Sequence, residues 1–215
     1  MKKHYENSFY QKLNTFADWV IRITVINILM IICAIPVVTL YPALLAGYKM
    51  YHNYLDNKEV PLFKGFFKYF TEDFGKKMQL GLVLAAAILL AVVNMTIYSD
   101  YLAINSNPIN YVGQYIMIIM VVTIVFVTIY TFPLMITYPK TNLWLLIKFA
   151  FFLSGKFILR TMLAILIMAI PLLLLLTPIT IVVFVFAGAA IPVLLYALLF
   201  KKVVLYVESL DKENV

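Results

Sequence analysis

Two histidines, one cysteine and ten acidic residues are the side chains in this chain that could ligate a metal or act as nucleophile and base. A metal centre needs three or four such groups on a common spacing, and a Cys–His pair needs both partners within reach. His4 and His52 lie in polar or juxtamembrane stretches and Cys33 inside an apolar run, so the sequence supplies neither arrangement. It also lacks a Gly-x-x-x-x-Gly-Lys-Ser/Thr phosphate loop, a His-Glu-x-x-His pair and a Gly-x-Ser-x-Gly elbow. Asp18, Asp56, Glu59, Glu72, Asp73 and Asp100 fall in loops or near helix ends, which leaves no intramembrane acid for a proton relay. No catalytic, metal-binding or cofactor-binding residue is therefore expected, and the protein reads as a non-enzyme.

The chemistry that remains is recognition. Arg22, Asn27 and Asn94 are the polar side chains that fall inside apolar runs. Arg22, three residues into its run, is expected to snorkel to the headgroups, and an amide such as Asn94 to hydrogen-bond across a helix interface. In the stretch PLFKGFFKYFTEDFGKKM, Phe63, Phe66, Phe67, Phe70 and Phe74 recur at helical spacing while Lys64 and Lys68 fall elsewhere on the wheel. This pattern predicts an amphipathic elbow helix in the membrane surface over 61–78, and KTNLWLLIKFAFFLSGKF predicts a second over 141–157. Phe9, Leu13, Phe16 and Trp19 suggest a third interfacial helix within residues 1–18.

These elements must be positioned by a membrane bundle. Hydrophobic residues make up 64% of the 215-residue chain and charged residues 13%, against about 45–50% and about 25% in soluble domains. A globule of this size cannot hide that much apolar surface, so the bilayer must be part of its solvent. Between Lys77 and Lys140 the only charge is Asp100, and between Arg160 and Lys201 there is none. The expected class is all-α, a polytopic transmembrane helical bundle forming one integral membrane domain over 1–215. Six membrane helices are expected, at 19–35, 43–55, 79–99, 115–136 and two within 161–200 joined at Thr177-Pro178. The alternative is five, with 43–55 lying in the interface.

Orientation follows from the basic residues. The net charge is +7, and its lysines flank apolar runs rather than form a nucleic-acid face, so no nucleic acid is expected as a partner. Loop 56–78 holds Lys58, Lys64, Lys68, Lys76 and Lys77, and loop 137–160 holds Lys140, Lys148, Lys156 and Arg160. Short basic loops stay cytoplasmic. Sharing that side with Lys2, Lys3 and Lys12 requires an even number of crossings before residue 56. Both termini are therefore expected inside the cell, with 201–215 as a cytoplasmic tail.

Several of these pieces, in order, resemble the YesL-like family of bacterial multi-pass membrane proteins of unknown function. They are Asn27 with Ile35-Pro36-Val37-Val38-Thr39 and Pro42-Ala43, then Phe63-Lys64-Gly65-Phe66-Phe67 with Phe74-Gly75-Lys76. Phe132-Pro133-Leu134 follows, before Leu143 to Ser154. That family typically sits beside carbohydrate uptake and breakdown genes. The resemblance thus implies a non-enzymatic accessory protein of the cell membrane, associated with an ABC-type carbohydrate uptake system through its permease subunits. It carries over no catalytic residue. The chain lacks the Glu-Ala-Ala loop of importer permeases, so it does not resemble the permease itself. The alternative function is a stand-alone small-solute transporter or channel, lined by Asn27, Asn94 and threonines.

Overall fold

A computed structural model describes residues 2–104 and 107–212, with side chains from 10–104 and 107–210. Phe9 and the end of the tail, 211–215, lie outside the described side chains. Every regular element is helical among the described residues: α1 (Lys2–Ala34), α2 (Leu40–Leu55), α3 (Leu62–Thr71), α4 (Phe74–Ile104), α5 (Pro108–Thr137), α6 (Leu143–Lys156), α7 (Ile158–Leu174), α8 (Pro178–Val183) and α9 (Ala190–Lys212). A short 3-10 turn, Val37–Thr39, precedes α2, and a π-helical turn, Phe184–Gly188, separates α8 from α9.

Local chemistry sets the ends of these helices. Pro36 stops α1, and the Thr39 hydroxyl donates to the carbonyls of Cys33 and Pro36, both at 2.6 Å, satisfying groups that a helix end leaves orphaned. Asn107 accepts from the Ile109 N–H ahead of Pro108 at the first turn of α5, and Asn142 caps α6 through the Trp144 N–H. Asn57 and Asp73 adopt left-handed φ of 56° and 49°. Their short polar side chains tolerate that conformation, and they turn the chain after α2 and before α4.

Four helices are long and apolar enough to cross a membrane: Tyr10–Ala34, Phe74–Ile104, Pro108–Thr137 and Ala190–Leu210. The pair α6 and α7, bent by 102°, makes at most a fifth. Six spans are not confirmed. α2 has 16 residues and so reaches about 24 Å, below the length that marks the other spans, although it runs back along α1. The corner at Thr177-Pro178 forms, with Thr177 capping α8. The regular helix after it begins only at Ala190 and continues through Lys201 and Lys202 to Lys212, so the described part of the expected tail, 201–212, is helical. The N-terminal stretch is likewise not a separate helix. With neither Gly nor Pro before Pro36, α1 runs unbroken for 33 residues.

The chain forms two compact units, Met1–Glu72 with Leu166–Leu198, and Asp73–Ile165 with Leu199–Val215. In the first, α2 runs back along α1: Gly47 faces Ile26 and Met30, and Tyr54 reaches Arg22. Ile26, Met30, Ala43, Leu45, Tyr48, Met50 and Phe66 are buried there. In the second, α4 and α5 form an antiparallel hairpin. Gly113 packs on Tyr98 at one end, and at the other the Lys76 ammonium donates to the carbonyls of Pro139 and Thr141. Tyr130 anchors this unit: it is fully buried, its ring lies tilted against Phe200 with centroids 5.0 Å apart, and its hydroxyl bonds to Thr161 at 2.9 Å. Large apolar side chains stand exposed along α4, α5 and α7, among them Leu89, Leu90, Ile119, Leu159, Met162 and Leu166. Surfaces of that kind fit a lipid bilayer environment.

Candidate functional site

Chemistry-bearing side chains gather in the first unit, where α2 meets α1 and α3. Lys49 lies one turn before the end of the apolar half of α2, and its ammonium meets Glu72 Oε2 at 2.7 Å and the Tyr69 ring at 4.8 Å. Asn53, one turn on, donates to the Tyr69 hydroxyl at 3.0 Å. Burial raises the Tyr69 phenol above its ordinary value, and the neighbouring Glu72 carboxylate adds to the rise. The phenol is therefore neutral at physiological pH. His52 Nδ1 stands 3.6 Å from Asp56, the residue that caps the helix. Three polar residues of α2 thus have partners at the α2–α3 junction or at the end of α2.

Arg22 sits at the edge of this cluster. Its guanidinium is 4.4 Å from the centroid of the Tyr54 ring, 5.8 Å from Trp19 and 3.6 Å from Asp18. The Tyr54 hydroxyl donates to the Val60 carbonyl at 2.8 Å, so this ring both cradles Arg22 and ties down the link into α3. Such a guanidinium is held by aromatic faces as well as by a carboxylate.

The five phenylalanines do not form one exposed stripe. Phe66 is 0% exposed, whereas Phe63 is 62% and Phe67 47% exposed; Phe70 and Phe74 are half-buried. A helix with apolar residues at both i+3 and i+4 has enough of them to bury one face and display another. Phe66 stacks on Phe70 at 6.4 Å on the inner side. Gly65 is what lets α3 lie so close, because a Cβ there would run into Val60 and come 3.1 Å from the Met50 sulfur. The outer face of α3 therefore carries Phe63, Lys64, Phe67 and Lys68, all exposed. Phe74 belongs to α4, beyond the left-handed turn at Asp73.

Asn27 stands apart from this cluster. Fully buried in α1, it donates through Nδ2 to the carbonyls of Phe184 and Val185 at 3.0 and 2.7 Å. Its Oδ1 accepts from the N–H groups of Ala189 and Ala190, both at 2.8 Å. Two donors and two acceptor sites are all that a carboxamide has, so the side chain is saturated by the backbone of the π-helical turn. No capacity remains for a solute. Asn94 is half-exposed and donates to the Leu90 carbonyl of its own helix at 2.8 Å. Cys33 is a free thiol, and no group of three metal-ligating side chains occurs among the described residues.

The same stretch can be compared with known proteins. Residues 23–95 match the family described as Protein of unknown function, DUF624. The YesL-like resemblance holds over this stretch. It covers Asn27, the turn at Pro36–Thr39, all of α2 and α3, and α4 as far as Met95. No curated protein and no solved structure matches the chain. Composition had singled out Arg22, Asn27, Asn94 and the phenylalanines. It missed Lys49, Asn53, Tyr69 and Glu72; the signal for the first two was the run of polar residues interrupting an apolar helix.

Proposed function

We propose that this chain is a non-enzymatic accessory protein of the cell membrane that associates with an ABC-type carbohydrate uptake system by docking on its permease subunits. The observation that carries the reading is the outer face of α3, where Phe63 and Phe67 stand exposed between Lys64 and Lys68. That face is held by the Lys49–Glu72 pair and the Asn53–Tyr69 bond beneath it, and it lies inside the stretch that matches the family. Exposed aromatics flanked by cations on a fixed helix are good anchors for a protein partner. The carbohydrate part of the reading rests on the YesL-like resemblance and that family's setting beside carbohydrate uptake genes.

The same reading has both termini cytoplasmic, together with the basic segments 58–77 and 140–160. The return of α2 along α1 to the level of Arg22 supports that orientation. The test is a photo-crosslinking amino acid in place of Phe67 in native membranes, with buried Phe66 as the control site. Crosslinks from position 67 to a permease subunit of a sugar importer are expected. Crosslinks to lipid or to the chain itself alone would overturn the docking role. Sugar flux into liposomes holding only this protein would replace it with a stand-alone transporter.

A further inference from the structure

The 102° bend between α6 and α7 leaves an open cleft of about 610 Å³ in the second unit, walled by Phe126, Phe151, Phe152 and Ile158. Its volume falls within the roughly 300–1,000 Å³ typical of small-molecule sites. The lining is almost wholly apolar, with Ser154 and Lys156 as its polar members. The ammonium of Lys156 lies 3.5 Å from the centroid of the Tyr206 ring. Every ion pair found among the described residues involves other side chains, so this cation is steadied by an aromatic face and by no carboxylate among them. Two turns earlier on the same exposed face Lys148 stands over Trp144 at 5.4 Å, adding to the positive field. Gly155 completes the floor, and a Cβ built on it meets nothing within 4 Å.

An open apolar cleft with a lysine among its lining residues is complementary to an amphiphile with an anionic head. On a helix whose exposed side is Trp144, Leu145, Phe151 and Phe152, the amphiphile within reach is a membrane lipid. We propose that this cleft is a binding site for an anionic phospholipid, with an acyl chain between Phe151, Phe152 and Ile158 and the phosphate on Lys156. A lysine meets phosphate as a point charge, so the site selects the sign of the headgroup rather than its detailed shape.

Native mass spectrometry of the full chain in detergent tests this, with phosphatidylglycerol and phosphatidylcholine of identical chains as probes and glycerol phosphate as a headgroup-only competitor. One lysine near an anionic surface is worth about 1 kcal/mol, so phosphatidylglycerol is expected to be retained about fivefold better than phosphatidylcholine. Lys156→Gln should erase that preference and Lys156→Arg should keep it. Gly155→Leu, which grows into open space and leaves the fold intact, should lower retention of both lipids. Equal retention of the two lipids by the native chain, no effect of Lys156→Gln or of Gly155→Leu, or full displacement by glycerol phosphate would each overturn the assignment. These outcomes are independent of whether α3 meets an importer.

Discussion

Replacing Asn27 gives the sharpest reading of how this fold is held. The side chain makes four hydrogen bonds of 2.7 to 3.0 Å to the backbone around the π-helical turn, and the residue is fully buried. A π-helical turn is uncommon and gains less from its own geometry than an α-helical one. Here its carbonyls at 184 and 185, and the N–H groups at 189 and 190, find in Asn27 a partner that bridges the break. Hydrogen bonds inside membrane proteins are worth about 0.6 to 1.7 kcal/mol each, so four of them amount to about 2–7 kcal/mol before any coupling between them. Leaving two carbonyls and two N–H groups unpaired in an apolar interior keeps the cost in that range.

Asn27→Leu keeps the volume and removes all four bonds, whereas Asn27→Ala adds a small cavity. Both are expected to lose about 2–7 kcal/mol in reversible unfolding in mixed micelles, with Ala slightly the worse. Hydrogen exchange supplies the local readout: the amides of Ala189 and Ala190 should exchange faster in both variants, while those of α4 and α5 change little. Unchanged stability together with wild-type protection at Ala189 and Ala190 would refute the reasoning. It would mean that the turn is held by its own packing and that Asn27 merely fits against it.

Four further outcomes are expected. Phe66→Ala should cost about 3–5 kcal/mol in unfolding experiments because it empties a fully buried site, whereas exposed Phe67→Ala should stay within about 0.5 kcal/mol of wild type. Glu72→Gln should cost no more than about 1 kcal/mol, shrinking further in high salt, since the pair with Lys49 is partly exposed; a salt-independent loss would count against an ionic tie. Gly188→Ala should destabilise by about 1–3 kcal/mol, because its Cβ would run into the Phe184 ring, and a neutral result in the same assay would mean that ring is free to move. Tyr130→Phe removes the hydroxyl that meets Thr161 and Phe157 and should cost about 0.5–1.5 kcal/mol in unfolding.

The limits of reading this chain from its sequence have physical causes. Apolar runs interrupted by Pro36, by Asn107-Pro108 and by Thr177-Pro178 were legible because proline and a capping side chain act on their immediate neighbours. The helical period of the phenylalanines was legible too, but not which of them would be buried. Period alone cannot tell a face turned toward lipid from a face turned toward another helix when both are apolar. That choice was made at Gly65, where a missing side chain lets α3 close on Val60 and Met50, and it sends Phe66 inward and Phe67 outward.

Asn27 carries the same lesson over a longer range. An amide in an apolar run announces that it needs partners, and nothing in its surroundings names them. The partners are backbone groups more than 150 residues away, in a stretch whose Gly188-Ala189-Ala190 looks from composition like a close-packing face of small residues. Small side chains there expose the N–H groups that Asn27 engages, so a feature that reads as packing is also a hydrogen-bonding one. The polar residues of α2 invert the case. Lys49, His52 and Asn53 are costly beside an apolar core, and the fold answers by supplying Glu72, Asp56 and Tyr69 as partners. In each instance the residue type stated a need that only the tertiary fold could meet, and for that reason the α2–α3 junction and the Asn27 bridge emerge from the structure while the helices themselves do not require it.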